Sequence, residues 1–301
     1  MSIIKYIKHK EIDFEKWDKI ILSSAYPLVF AQSFYLNATC PNWDALVIGD
    51  YESVFPLTHQ KKFGISYMYQ PSFTPQLGVY GNVTSEIEQL FFNYITKHFK
   101  LIEIELNASN TLQTSFHKLK TTFIIDYKLG YKLNQNTKRN ISKAIDNKLL
   151  FMKIEENDIL IPSKKYLNPF LYKELNLSKY SIGLFDQLLK SAIEHKSLYS
   201  FKVIDEQQKL QAIAHFISNG KHTVYLKGIN FDKEVSLGSM HLLNSSAIEF
   251  FENKCEIFDF GGGSKESLAN FYKGFGALPL YYNSLKINNL PLIIKLLANK
   301  K

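Results

Sequence analysis

The sequence predicts a mixed α/β protein with an antiparallel centre and a βαβ-like end, folded as two related subdomains packed together. Three observations predict it. Apolar residues make up 46% of the 301 residues, with 23 Phe and 18 Tyr, which is ample for a large core. Gly and Pro number only 14 and 9, so most of the chain is expected in regular elements. Helix-period and strand-period stretches follow one another in a similar order in each half.

The first half opens with a strand from Ile3 to Ile7 and a helix from Asp13 to Leu22. Asp13 can cap that helix, and Phe14, Trp17, Ile20 and Ile21 form its apolar stripe. A second short helix starts after Gln32, with Ser33 as N-cap for the run FYLNAT. Three strand-like runs, WDALVIG, YESVFPLTH and ISYMYQ, are parted by Gly49-Asp50 and by Lys61 to Gly64, which reads as an antiparallel meander. Thr84 or Ser85 then caps the helix EIEQLFFNYITKHF, and strands LIEIEL and TTFIIDYKL follow.

The second half predicts helices over 134–148, 181–195, 239–252 and 266–274. Strands are expected over 149–155, 198–204, 209–218, 221–229, 255–260 and 279–287. The boundary between subdomains falls near Asp126 to Leu133, giving a first over 1–128 and a second over 129–301. No repeat is visible residue by residue.

Composition also narrows the function. Cys40 and Cys255 lie far apart without a CxxC or Cys/His grouping, so neither a disulfide framework nor a metal site is expected. No run of 18 apolar residues occurs and the N-terminus lacks an apolar signal core, which predicts no transmembrane segment and a cytoplasmic location. The net charge of +8 fits an anionic partner such as nucleic acid, phospholipid or a phosphorylated metabolite. That charge is spread along the chain except around residues 128–148.

The segments that carry chemistry lie mainly in the last third. A strand ending near Gly228 leads through a loop to Gly238-Ser239 and the apolar helix MHLLNSSAIEFF. A helix N-terminus fed by a glycine turn offers free backbone N–H groups and a positive dipole end, so Gly238, Ser239 and Met240 are candidates for holding a pyrophosphate or carboxylate. Gly238 as a turn residue and Ser239 as a plain N-cap would look the same. A further strand, CEIFDF, ends in Gly261-Gly262-Gly263-Ser264, and a short helix from Lys265 is stopped by Gly274 and Gly276.

The run FDFGGGSKESLANFYKGFGA, with NTKRNISKA upstream, resembles the GNAT superfamily of acyltransferases, and within it the Fem-type and BioF2-like groups. The resemblance covers about residues 126–288; the first half fits by position, as a degenerate GNAT-like subdomain. It implies two tandem GNAT-like subdomains and direct attack of an amine on an acyl donor, with no covalent enzyme intermediate. Such a site needs a group that deprotonates the amine, donors for the carbonyl oxyanion, and a proton for the leaving group. Tyr272 is the candidate for the last task. Asp259 can orient or deprotonate the amine, or merely cap the glycine turn. Lys273 can stabilise developing negative charge, and His241 can act on the acceptor or be a buried core histidine. His215, alternating against Ile213 and Ile217, faces a cleft or solvent.

Two further segments fit an acceptor. As a helix from Asn134, the stretch NQNTKRNISKAIDNK sets Leu133, Thr137, Ile141, Ala144 and Ile145 on a core stripe. Lys138, Arg139 and Lys143 then form a basic face, and Arg139 is the only arginine among 36 basic residues. Its fork suits bidentate binding of phosphate or carboxylate. Gln70 and Gln76 frame the compact loop QPSFTPQ, a candidate acceptor wall.

The leading expectation is therefore an N-acyltransferase using an acyl-coenzyme A-like thioester and a small or nucleotide-linked amine, with neither a metal nor a DNA partner. Fem-type enzymes tend to show lysine four residues before the position of Gly276, where this chain has Tyr272, which leans towards a thioester donor. The loop EVSLGSM at Glu234 to Met240 carries only one glycine of the usual coenzyme A signature. The alternatives are transfer from aminoacyl-tRNA to a cell-wall peptidoglycan precursor, and a non-catalytic GNAT-like binding module. No RNA-binding motif with stacked aromatics is recognisable.

Overall fold

The computed structural model describes residues 4–62, 64–112, 117–155, 179–231 and 237–291. The chain divides into two compact units, one of residues 1–120 with 281–301 and one of 121–280. The first unit contains strands β1 (Ile4–Ile7), β2 (Asp44–Ile48), β3 (Ser53–Leu57), β4 (His59–Lys62), β5 (Ile65–Tyr69), β6 (Tyr80–Gly81) and β7 (Leu101–Glu105). Its helices are α1 (Phe14–Ser23), α2 (Ser33–Thr39) and α3 (Ser85–His98).

Local chemistry explains where these helices start. Asp13 accepts the Lys16 N–H at 3.1 Å and Thr84 accepts that of Ile87 at 3.3 Å, two ordinary side-chain caps. Ser33 does not cap α2. Gln32 stands at the N-cap, and the Ser33 hydroxyl and N–H both donate to the carboxylate of Asp18, at 2.5 and 2.7 Å. The expected meander is also interrupted: β3 pairs with β2 and β6, whereas β4 pairs with β5. Between them the Thr58 hydroxyl donates to the carbonyl of Tyr69. The core of this unit joins Leu46, Phe55, Phe91, Ile95, Ile102, Leu285 and Ile287.

The second unit is a sheet ordered β8-β13-β12-β11-β10-β9. Its strands are β8 (His117–Asp126, in this unit from Thr121 on), β9 (Leu150–Ile154), β10 (Leu198–Ile204), β11 (Leu210–Ser218), β12 (His222–Asn230) and β13 (Ile257–Asp259). Its helices are α4 (Gln135–Asp146), α5 (Lys179–Glu194), α6 (Ser239–Phe251) and α7 (Glu266–Gly274). All pairings among these strands are antiparallel except that of β12 with β13. Helix α6 packs on strands β9 to β12 and is crossed by α4, which also meets α7. The core between them is aromatic: Phe201, Phe216, Phe251, Phe258 and Phe275 are each fully buried. Each such ring contributes roughly 2–3 kcal/mol by leaving water.

Asn134 caps α4 by accepting the Thr137 N–H at 2.8 Å, and its own N–H donates to the carbonyl of Gly274 at the end of α7. Thr137 and Ala144 are buried as expected, but Ile145 is 59% exposed, because only one narrow stripe of this helix meets α6 and α7. The last strand, β14 (Leu278–Asn288), pairs antiparallel with β7 from Ser284 opposite Glu105 to Asn288 opposite Leu101. Residues from 281 onward therefore group with the first unit, and the break near the middle of the chain comes at 120–121. Among the described residues, no helix is long and apolar enough to cross a membrane.

Candidate functional site

The site begins with an irregularity in β12. His215 of β11 faces Lys227, but the next residue, Phe216, faces Tyr225, so Leu226 is an extra residue on β12, a β-bulge. On its other side β12 pairs with β13 only from His222 to Val224. Beyond that point the two strands part. A cavity of about 360 Å³ lies along the unpaired half of β12 and is lined there by Tyr225, Gly228 and Asn230.

The first turn of α6 forms a second wall through Gly238, Ser239, Met240 and His241. Gly238 stands at the N-cap with φ +85°, and no side chain caps the helix. A β-carbon on Gly238 would lie 2.2 Å from the carbonyl oxygen of Asn140, so glycine is what lets α4 close on this helix end. The hydroxyl of Ser239 donates to Asn230 Oδ1 at 3.1 Å, which ties the helix start to β12. The N-terminal dipole of a 13-residue helix thus points at the cavity. The upstream part of the expected donor loop, Glu234 to Ser236, lies outside the described residues.

Helix α7 forms the third wall with Leu268, Phe271 and Tyr272. Tyr272 is 6% exposed, and its ring stacks on Phe260 at 4.2 Å and 22°. Burial, with a smaller contribution from Asp259, pushes its phenol up to about 12. It is therefore a neutral hydroxyl at physiological pH. His241 is half-buried, edge-on to Phe271 at 4.9 Å and 5.9 Å from Phe275. Among the described lining residues none is Lys, Arg, Asp or Glu.

The structure thus brings Gly238, Ser239, Met240, His241 and Tyr272 to one cavity and places the other candidates elsewhere. Asp259 is fully buried and does not line it. Its Oδ1 accepts from the Thr122 hydroxyl at 2.5 Å and the Gly261 N–H at 2.7 Å, and its Oδ2 is 3.3 Å from His222 Nε2. The carboxylate is thereby committed to holding the glycine turn. Lys273 is exposed, with Nζ 5.7 Å from the centre of the Phe123 ring. Lys138, Arg139 and Lys143 are exposed on α4, where Arg139 Nη2 donates to Asn136 Oδ1 at 3.0 Å.

His215 faces α5, with Nδ1 2.7 Å from the buried Ser200 hydroxyl and its ring edge-on to Phe185. Gln70 and Gln76 belong to the first unit, and both staple backbone. Gln70 donates to the carbonyl of Thr74 and accepts the Glu105 N–H, while Gln76 accepts the Ala108 N–H. Tyr225 and Asn230, two polar members of the cavity, escaped the sequence. The available signal was Gly228 inside a strand, which marks a bulge or a close approach. Among the described residues no group of three or more His, Cys, Asp or Glu could hold a metal ion.

Comparisons with known proteins agree on the fold. No family model matches the sequence, and no curated protein matches it. The structure resembles FemX with a TM-score of 0.68 at 11% identity, covering 97% of this chain and 99% of that one. It resembles the C-terminal domain of a putative lysylphosphatidylglycerol synthetase from Agrobacterium fabrum with a TM-score of 0.59 at 11% identity, covering 95% of both chains. A tandem GNAT protein from the clavulanic acid biosynthesis pathway follows at 0.51 and 10% identity, covering 96% of this chain and 99% of that one. The chain has the tandem GNAT-like fold.

Proposed function

We propose that this tandem GNAT-like chain is an N-acyltransferase: an amine attacks the carbonyl of an activated acyl group held in the cavity between β12, α6 and α7. One observation carries the reading. The phenol of Tyr272 and the uncapped N-terminus of α6 line the same cavity, where strands β12 and β13 part. A neutral phenol can donate to a departing anion, and the helix start can hold the anionic part of a donor. Gly238, Ser239 and Met240 would hold such a donor, whether a coenzyme A thioester or an aminoacyl ester.

The leaving group separates the two donors. A thiol has an ordinary pKa of about 8.5, well below the raised phenol of Tyr272, so proton transfer from that phenol to a thiolate is uphill. An alkoxide is a far stronger base and takes that proton readily. Tyr272 is therefore better matched to a ribose oxygen as leaving atom than to a thiolate. This favours an aminoacyl ester over the thioester that the sequence suggests. The exposed basic face of Lys138, Arg139 and Lys143 supports the same donor, since an RNA brings phosphates to be met. The name of one neighbour, a putative lysylphosphatidylglycerol synthetase, adds a lipid headgroup, there a glycerol hydroxyl, to the acceptors worth testing beside amines.

The test is transfer from acetyl-coenzyme A and from aminoacyl-tRNA to a panel of amines, followed by mass spectrometry, with wild type and Tyr272→Phe compared. The aminoacyl donor is expected to give product, and Tyr272→Phe to lower kcat by about 100-fold or more without loss of fold. No product and no saturable binding of either donor would overturn the reading.

A further inference from the structure

Resting on the acyl-transfer reading above, we propose that Tyr225 is a second substrate-touching hydroxyl of this cavity, its phenol donating to the carbonyl oxygen of the acyl group while Tyr272 serves the leaving group. Placement carries this. Tyr225 stands at the bulge of β12, one residue past the last pair with β13. Its oxygen folds back over Gly228, 1.9 Å from where a β-carbon would stand, and the methyl of Met240 is 3.1 Å from the same point. The hydroxyl therefore lies beside the first turn of α6, on the cavity side of the strand.

Phe260 seats both phenols. It stacks on Tyr272 at 4.2 Å and meets Tyr225 at 6.4 Å, while Phe216 holds the Tyr225 ring edge-on at 5.3 Å. Neither phenol oxygen hydrogen-bonds to another described residue. Burial raises both above the ordinary tyrosine range, and Tyr272 raises Tyr225 further, so both keep their protons. A ring serving only as wall needs no hydroxyl, and a phenylalanine would avoid the cost of desolvating one. Two protonated phenols in a cavity with no charged side chain among its described lining residues match the two oxygens or sulfurs that gain charge in acyl transfer.

A neutral amine forms the C–N bond to the carbonyl carbon, and the carbonyl oxygen takes the negative charge against the Tyr225 hydroxyl. The C–O or C–S bond then breaks, the leaving atom takes the Tyr272 proton, and the proton lost by the amine nitrogen restores the phenol. Tyr225 keeps its own proton throughout.

The experiment compares wild type with Tyr225→Phe, which preserves the ring contacts. Each is titrated calorimetrically with acetyl-coenzyme A, with S-ethyl-coenzyme A, which lacks the carbonyl, and with 3′-O-alanyladenosine. Transfer to an amine panel is then followed at saturating donor. Expected are a wild-type preference for carbonyl-bearing probes that Tyr225→Phe abolishes, and a fall in kcat of about 100-fold with KM within twofold. An unchanged kcat and an unchanged preference in Tyr225→Phe would overturn the role of Tyr225 while leaving the transferase reading intact. Failure of wild type to bind any carbonyl-bearing probe would overturn both.

Discussion

The phenol oxygen of Tyr225 occupies the space that a side chain on Gly228 would need, 1.9 Å from the position of its β-carbon. Strand β12 can carry a tyrosine over its own backbone only because residue 228 is glycine. Substituting Gly228 by alanine should swing the phenol away from Met240 and into the cavity. The expected result is a folded protein destabilised by about 1–3 kcal/mol, with donor binding lost out of proportion to stability. Chemical denaturation and calorimetric titration of one sample check both.

Gly238→Ala should be more damaging to the fold. Its φ of +85° disfavours any β-carbon, and that carbon would lie 2.2 Å from the backbone oxygen of Asn140, which cannot swing aside. A loss of about 3 kcal/mol is expected, together with weaker donor binding as α6 shifts from α4. Urea midpoints at constant m-value measure it.

His215 predicts an acid-sensitive component of stability. Burial lowers its imidazole from 6.5 to about 4, so the folded protein binds a proton less readily than the unfolded chain does. The neutral form's stability is complete above pH 6.5 and lost as pH falls towards 4. Because the side chain retains some exposure, about 2 kcal/mol is expected rather than the full ~3 kcal/mol of the shift. His215→Asn, which keeps a polar atom towards Ser200, should flatten the stability profile between these pH values.

Replacing Lys138, Arg139 and Lys143 together by glutamine should leave the melting temperature within about 2 °C, since all three are exposed. Binding of aminoacyl-tRNA at low salt should weaken by about 10-fold, with a shallower salt dependence. Binding of acetyl-coenzyme A and alanyladenosine should hold if α4 meets only the body of the RNA. A tRNA affinity that does not change would remove the role of this face.

Much of the fold was legible because its signals are local. Asp13 and Thr84 cap their helices, and the 3.6-residue stripes and the glycine stops are written within a few residues of one another. The same locality exposed Gly238 to His241 and Tyr272, which sit on two elements separated by one short strand. Asp259 shows the limit. Its place at the end of a strand and the alternative of capping the glycine turn could be read, but not that Thr122, 137 residues away, would donate to the same oxygen as Gly261.

The sequence by itself determined that the chain is α/β, that its second half ends in the strand, glycine turn and helix of a GNAT-like fold, and that one tyrosine there bears a candidate proton. Caps, periodicity and turn residues are properties of neighbouring positions, so they survive without coordinates. Only the tertiary structure decided that β12 and β13 part after Val224 and that Tyr225 joins Tyr272 around Phe260. It alone committed Asp259 to a turn and left Lys273 in solvent. Those outcomes depend on strand register and on which face of each element meets its neighbour. Register is set by contacts between segments distant in the chain, and one residue of slip reverses every side chain.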